Sequence, residues 1–226
     1  MSNFAASNSI IMYSDKKIII LDLGGVLLDI NIELSFGALV AMGLDAAILT
    51  ERDCLMNETI LKFDRGDISA DEFYSYIENS LPENVRMLQA DELRERVCEI
   101  WNMMLGSYAV AKINRIKELR SCGYRVLLLS NTNEGHWDEI ERRLYRTAGC
   151  YMNELFDSLY LSYKMHTRKP ESDIFLELMR CEGVEPGECI FFDDSQENCD
   201  AASKVGIEAV KVERNMAWDT LPLLGK

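Results

Sequence analysis

Apolar positions in this chain fall into a few short unbroken runs, separated by longer stretches in which they recur three and four residues apart. The first run, Ile18-Ile19-Ile20-Leu21, is aliphatic throughout and mostly β-branched, and it leads straight into Asp22-Leu23-Gly24-Gly25-Val26. Tyr124 to Leu129, Cys189 to Phe192 and the shorter segments Ser158 to Leu161 and Ile207 to Val210 are of the same kind. Runs this short, without polar alternation, predict strands covered on both faces, as in the middle of a parallel sheet. The intervening periodicity predicts helices over Ala109 to Arg120, closed by Gly123, and over Gly135 to Arg146. Two more follow: Ser172 to Cys181, with Pro170 in its first turn, and Gln196 to Lys204, with Ser195 as N-cap and Gly206 as stop. Strands alternating with helices imply right-handed βαβ units and a parallel sheet.

Residues 32–105 have a different character. Leu34 to Met42, Asp45 to Met56 and Leu88 to Met104 each carry an amphipathic helical stripe, and no convincing strand interrupts them. Ser69-Ala70-Asp71-Glu72 has the form of a capping box ahead of Phe73, Tyr74 and Ile77, so a helix begins there. The pattern describes an all-α subdomain (32–105) inserted into an α/β core (16–31 and 106–226), with Met56, Phe63, Phe73, Tyr76, Trp101 and Met104 as its apolar interior. Residues 1–15, rich in Ser and Asn, read as a loosely held arm.

Composition narrows the function. With 226 residues and 48% hydrophobic content the chain can bury a full core. A net charge of −14 argues against a general nucleic-acid or anionic-membrane binder, because both need basic surface. Any phosphate must be held locally, by a few lysines, backbone amides or a bound cation. The seven scattered cysteines contain no CxxC pair and read as reduced thiols of a cytoplasmic protein. No stretch approaches the ~20 apolar residues of a membrane span. Oligomeric state leaves no mark in the sequence.

The candidate chemistry lies where the apolar runs end. Asp22 follows the first, Ser130 and Asn131 the second, Asp193 and Asp194 the last long one, while Lys169 precedes a helix in the same half of the chain. In a parallel sheet all carboxyl ends share one edge, so these groups converge. Three crowded carboxylates call for a cation, and oxygen-only donors select a hard ion, best Mg²⁺. A carboxylate, a hydroxyl, a lysine and Mg²⁺ make a phosphoryl-transfer site: Asp22 attacks phosphorus, and Ser130, adjacent amides and Lys169 hold the non-bridging oxygens.

Four segments carry a family resemblance: Ile20 to Val26, Leu129-Ser130-Asn131-Thr132-Asn133, Arg168-Lys169-Pro170 and Phe191-Phe192-Asp193-Asp194-Ser195. In order and spacing they resemble motifs I to IV of the haloacid dehalogenase superfamily, and the inserted helices resemble its C1-type cap. The resemblance implies a Rossmann-like core and a Mg²⁺-dependent phosphatase of small phosphorylated metabolites. It implies Asp22 as nucleophile and metal ligand, Gly24 as a carbonyl ligand, Asp194 as a direct carboxylate ligand, and Asp193 as a ligand bound directly or through water. The motifs look most similar to the branch containing bacterial α-D-glucose-1-phosphate phosphatases.

Gly24 departs from the family pattern. Most phosphatases of the superfamily carry there the Asp that protonates the leaving oxygen, a transfer worth ~10²–10⁴-fold in rate. Three readings follow: a phosphatase for substrates with an easy leaving group, such as a sugar 1-phosphate; a non-catalytic phospho-ligand-binding or interaction protein; and a 2-haloacid dehalogenase, which the Asp193-Asp194 pair counts against. His166 is a possible substitute acid, although a loop role suits it better. His136 reads as a surface or capping residue and Asp29 as a turn residue. Asn131 and Asn198 are candidates to bind phosphate or orient a ligand, Asn131 the better placed.

Overall fold

A computed structural model describes residues 16–49, 57–88 and 92–216. The N-terminal arm lies outside the described residues, as do residues 50–56 of the Asp45 to Met56 stretch read as helical, Met56 among them.

At the centre is β1 (Ile18–Leu21), with every residue buried. It is followed by β2 (Leu28–Ile30), α1 (Ile32–Ala41), α2 (Glu58–Asp64), α3 (Ala70–Ser80), α4 (Glu83–Leu88), α5 (Leu93–Trp101) and β3 (Leu105–Tyr108). The second half runs α6 (Val110–Ser121), β4 (Arg125–Ser130), α7 (Glu134–Ala148), α8 (Met152–Leu155), β5 (Ser158–Leu161), α9 (Ser162–Met165), α10 (Ser172–Glu182), β6 (Cys189–Asp193), α11 (Gln196–Lys204) and β7 (Glu208–Lys211).

Five strands form one parallel sheet in the order β5-β4-β1-β6-β7. Leu21 is in register with Leu128 on one side and Phe192 on the other, so Asp22, Leu129 and Asp193 emerge side by side. The period-2 alternation of a strand explains why β1 is apolar on both faces. Ile18 and Ile20 meet Ile174, Phe175 and Leu178 of α10 and Ala202 of α11, whereas Ile19 and Leu21 belong to a larger cluster that includes Ile140, Leu144, Phe63, Phe73 and Trp101. That larger cluster runs without a break from the sheet into the inserted helices.

Two glycines let the inserted helices approach closely. A β-carbon on Gly135 would lie 2.3 Å from the Tyr74 hydroxyl, and one on Gly66 would lie 2.1 Å from the Tyr163 carbonyl oxygen. The expected capping box of α3 is present, with the Glu72 N–H donating to Ser69 Oγ at 3.2 Å and the Ser69 N–H donating to Glu72 Oε2 at 2.8 Å.

Several sequence expectations need correction. β2 and β3 form an antiparallel pair bracketing the helices, and Asp29 lies in β2 rather than in a turn. The pair is short and half polar, so it has little periodicity to read; Gly106 makes the approach possible, since a β-carbon there would meet the Asp29 carbonyl oxygen at 2.7 Å. Pro170 stands before the N-cap Glu171 and therefore outside α10. No helix among the described residues is long and apolar enough to cross a membrane.

Candidate active site

The sheet register delivers the polar groups to one edge. Asp22 leaves β1 with its N–H donating to the Phe192 carbonyl at 3.0 Å. Ser130 ends β4 and Asp193 ends β6, and both are buried. Lys169 comes from the segment before α10 and is only 1% exposed, yet its ammonium is fully coordinated. It donates to Asp22 Oδ1 at 2.7 Å, to Asp193 Oδ2 at 2.7 Å and to the Leu129 carbonyl at 2.8 Å. A buried ammonium persists only with partners of this kind. Burial works against its charge, but Asp193 and Asp22 outweigh that, and its pKa is raised.

Asp22 is pushed up to about 7 by burial, with Asp193 and Asp194 adding to the rise and Lys169 opposing it. Oxygens of Asp22, Asp193 and Asp194 lie within 4.8 Å of one another, the one such grouping found among the described residues. One ammonium among three carboxylates leaves net negative charge, and the donors are all hard oxygens, so the set fits a small divalent cation.

Within the cluster the two neighbouring carboxylates are not equivalent. Asp193 has both oxygens engaged: Oδ1 accepts from the Ser195 N–H at 2.8 Å and Asn198 Nδ2 at 3.0 Å, and Oδ2 accepts from Lys169 and Asn198. Asp194 is engaged differently, through Oδ2 alone among the described residues. Its side chain is 7% exposed and is paired with Arg214. Gly25 makes room for it, because a β-carbon there would sit 2.5 Å from Asp194 Oδ2, and φ is +78°. A β-carbon on Gly24 would stand 3.0 Å from Ile30 Cγ1, a tight approach that a small shift of Ile30 would relieve.

The remaining candidates separate clearly. Asn131 faces the backbone of Lys169, donating through Nδ2 to its carbonyl at 2.8 Å and accepting its N–H through Oδ1 at 2.9 Å. Asn198 holds Asp193. His166 is exposed, and its recorded partner is Asp67 at 3.8 Å. His136 is buried, contrary to a surface role: it stacks on Trp101 with centroids 5.1 Å apart, and its Nδ1 is 2.8 Å from Asn102 Oδ1. Burial, with Arg143 adding to the effect, lowers its pKa to about 3.

Sequence reasoning missed Asp64, Arg214 and Asn215, and gave Arg168 of the third motif no role of its own. Asp64 of α2 is buried against the second and third motifs: Asn133 Nδ2 donates to its Oδ1 at 3.0 Å, Ser162 Oγ donates to its carbonyl at 2.6 Å, and Arg168 lies 3.7 Å from Oδ2. Arg214 and Asn215 follow β7; Arg214 pairs with Asp194 of the fourth motif, and Asn215 reaches Ile30, nearly the whole chain away. No spacing signal links such distant residues.

The chain is similar to known proteins over most of its length. The family model for haloacid dehalogenase-like hydrolases matches residues 16–206. A D-ribitol-5-phosphate phosphatase from Bacteroides thetaiotaomicron is 28% identical over 202 residues, covering 89% of this chain and 94% of that protein. A HAD family enzyme from Bacteroides thetaiotaomicron, solved with magnesium and inorganic phosphate, superposes with a TM-score of 0.75 at 28% identity, covering 91% of this chain and 98% of the other. A HAD-like family hydrolase from Porphyromonas gingivalis gives 0.74 at 28% identity, covering 90% and 94%. The chain belongs to the haloacid dehalogenase-like hydrolases.

Proposed function

We propose that this protein is a cytoplasmic, Mg²⁺-dependent phosphatase of small phosphorylated metabolites, with residues 32–105 as its cap. The observation that carries the reading is the Lys169 ammonium held between Asp22 and Asp193 beside a third carboxylate. Asp22, Asp194 and the Gly24 carbonyl would hold the ion, with Asp193 acting through water. When bound, the ion offsets the repulsion between carboxylate and phosphate and polarises the phosphoryl oxygens.

Asp22 attacks phosphorus, the P–O bond to the leaving group breaks, and an aspartyl-phosphate forms on Asp22. Ser130 holds a phosphoryl oxygen through a hydrogen bond, and the Lys169 charge offsets the negative charge there. Lys169 bonds a phosphoryl oxygen directly only where that oxygen replaces one of its three present acceptors. Asn131 positions Lys169 through its backbone. Water then attacks the acyl-phosphate and releases phosphate. No side chain at position 24 protonates the leaving oxygen, which favours less basic leaving groups. A sugar 1-phosphate fits that requirement. The likeness to a D-ribitol-5-phosphate phosphatase supports a phosphorylated polyol as the competing substrate.

Hydrolysis of an aryl phosphate, whose leaving group needs no acid, tests the reading. We expect activity that disappears on chelation and in Asp22→Asn. A folded wild type no faster than Asp22→Asn would overturn it in favour of a phospho-ligand-binding protein, the reading that the absence of an acid at Gly24 supports. Rates on the 1-phosphate and a terminal phosphate of one sugar, with D-ribitol 5-phosphate alongside, then separate the two substrate classes.

A further inference from the structure

We propose that Asn215, which lies outside all four motifs, is a positioning residue for the cation site. The inference rests on the reading of Gly24 as a carbonyl ligand and of Asp194 as its carboxylate partner. The segment after β7 runs beside the site, with the Val212 N–H donating to the Asp193 carbonyl at 3.0 Å. Asn215 then reaches the motif I loop at three points. Its own N–H donates to the Gly25 carbonyl at 2.7 Å. Its side chain accepts the Ile30 N–H at 2.9 Å and donates to the Ile30 carbonyl at 3.1 Å. The amide thus pairs with Ile30 as a neighbouring strand would, on a residue whose strand partner is Leu105.

These contacts fix both ends of the 25–30 loop, and the loop fixes a carbonyl. The Gly25 N–H donates to the Leu28 carbonyl at 2.8 Å. In a trans peptide that N–H and the Gly24 carbonyl belong to one planar unit and point in opposite directions. Holding the N–H therefore aims the carbonyl. Asn215 itself has a φ of +60°, a region that Asn tolerates and Gly adopts freely. Its backbone conformation and side-chain contacts serve one geometry, the close return of this segment onto the loop. Groups that hydrogen-bond a metal ligand directly contribute about 10- to 100-fold to metal affinity, and Asn215, which acts through the peptide units next to Gly24, is expected at the lower end of that range.

The test is calorimetric titration of Mg²⁺ into the full chain, comparing wild type, Asn215→Gly and Asp194→Asn, with thermal unfolding recorded without Mg²⁺. Glycine keeps the left-handed backbone and removes only the side-chain clamp. We expect Asn215→Gly to bind Mg²⁺ about 10-fold more weakly or worse, with little change in the metal-free melting temperature. Wild-type affinity in Asn215→Gly overturns the proposal while leaving the site intact. Undiminished binding in Asp194→Asn, or none in wild type, overturns the reading of the site and the proposal with it. Should Asn215→Gly fail to fold, hydrogen exchange of the Ile30 amide in wild type decides. Coupling between sites is reciprocal, so Mg²⁺ must slow that exchange if the clamp and the site are linked. An unchanged rate overturns the proposal.

Discussion

A β-carbon on Gly24 would stand 3.0 Å from Cγ1 of Ile30. A side chain at position 24 would therefore crowd Ile30, and the two positions are sterically coupled. Gly24→Asp alone should gain little, because the new side chain must displace Ile30. Gly24→Asp with Ile30→Ala should raise turnover of alkyl phosphates by up to about 10²-fold, the lower range for a positioned proton donor, and leave aryl phosphates unchanged. Steady-state rates on the two substrate types check this, and a full gain from Gly24→Asp alone would show that Ile30 is no obstacle.

Arg214 pairs with Asp194 and is itself half exposed. A cation taking Asp194 as ligand must compete with that guanidinium. Arg214→Met should therefore tighten Mg²⁺ binding by about two- to fivefold, the scale of a partly exposed ion pair, and the gain should shrink at high salt as charges are screened. Mg²⁺ titrations at low and high ionic strength measure it; weaker binding would mean that Arg214 supports the site.

His136 ties pH to stability. Asn102 Nδ2 donates to the Cys98 and Gly135 carbonyls, so Asn102 Oδ1 accepts and the neutral imidazole carries its proton on Nδ1. With a folded pKa lowered to about 3, the unfolded chain binds the proton first as pH falls. The stability it contributes is complete above the unfolded value near 6.5 and is lost progressively towards the folded one. Between about pH 7.5 and about pH 5 the loss should be about 2 kcal/mol. Urea unfolding across that range should show the slope in wild type and a shallower one in His136→Gln. Equal slopes would assign it to other groups.

Much of the core was legible because burial on both faces leaves an unmistakable run of apolar residues, as in Ile18 to Leu21 and Cys189 to Phe192. Asp22, Ser130 and Asp193 could be placed for the same reason: they end those strands, and parallel strands share an edge. What escaped depends on contacts the sequence does not encode locally. β2 and β3 are too short for periodicity. Asn131 was known to be near the site, but the direction of its amide, towards the Lys169 backbone, is a property of the packed loops. His136 looked like a helix-start residue and is one, yet Trp101 from α5 covers it. Asn215 is an exposed polar residue in a loop, and only its partners at Gly25 and Ile30 distinguish it from any other.

The close seating of Gly135 beneath Tyr74 and of Gly66 against Tyr163 bears on how the molecule comes apart. Ile19, Leu21, Ile140, Phe63, Phe73 and Trp101 belong to one continuous buried apolar cluster, so the inserted helices and this side of the sheet share a single interior. Neither can be hydrated without baring the other. The helices thus wall this side of the hydrolase core, and the two are expected to melt as one cooperative unit, seen as a single calorimetric transition.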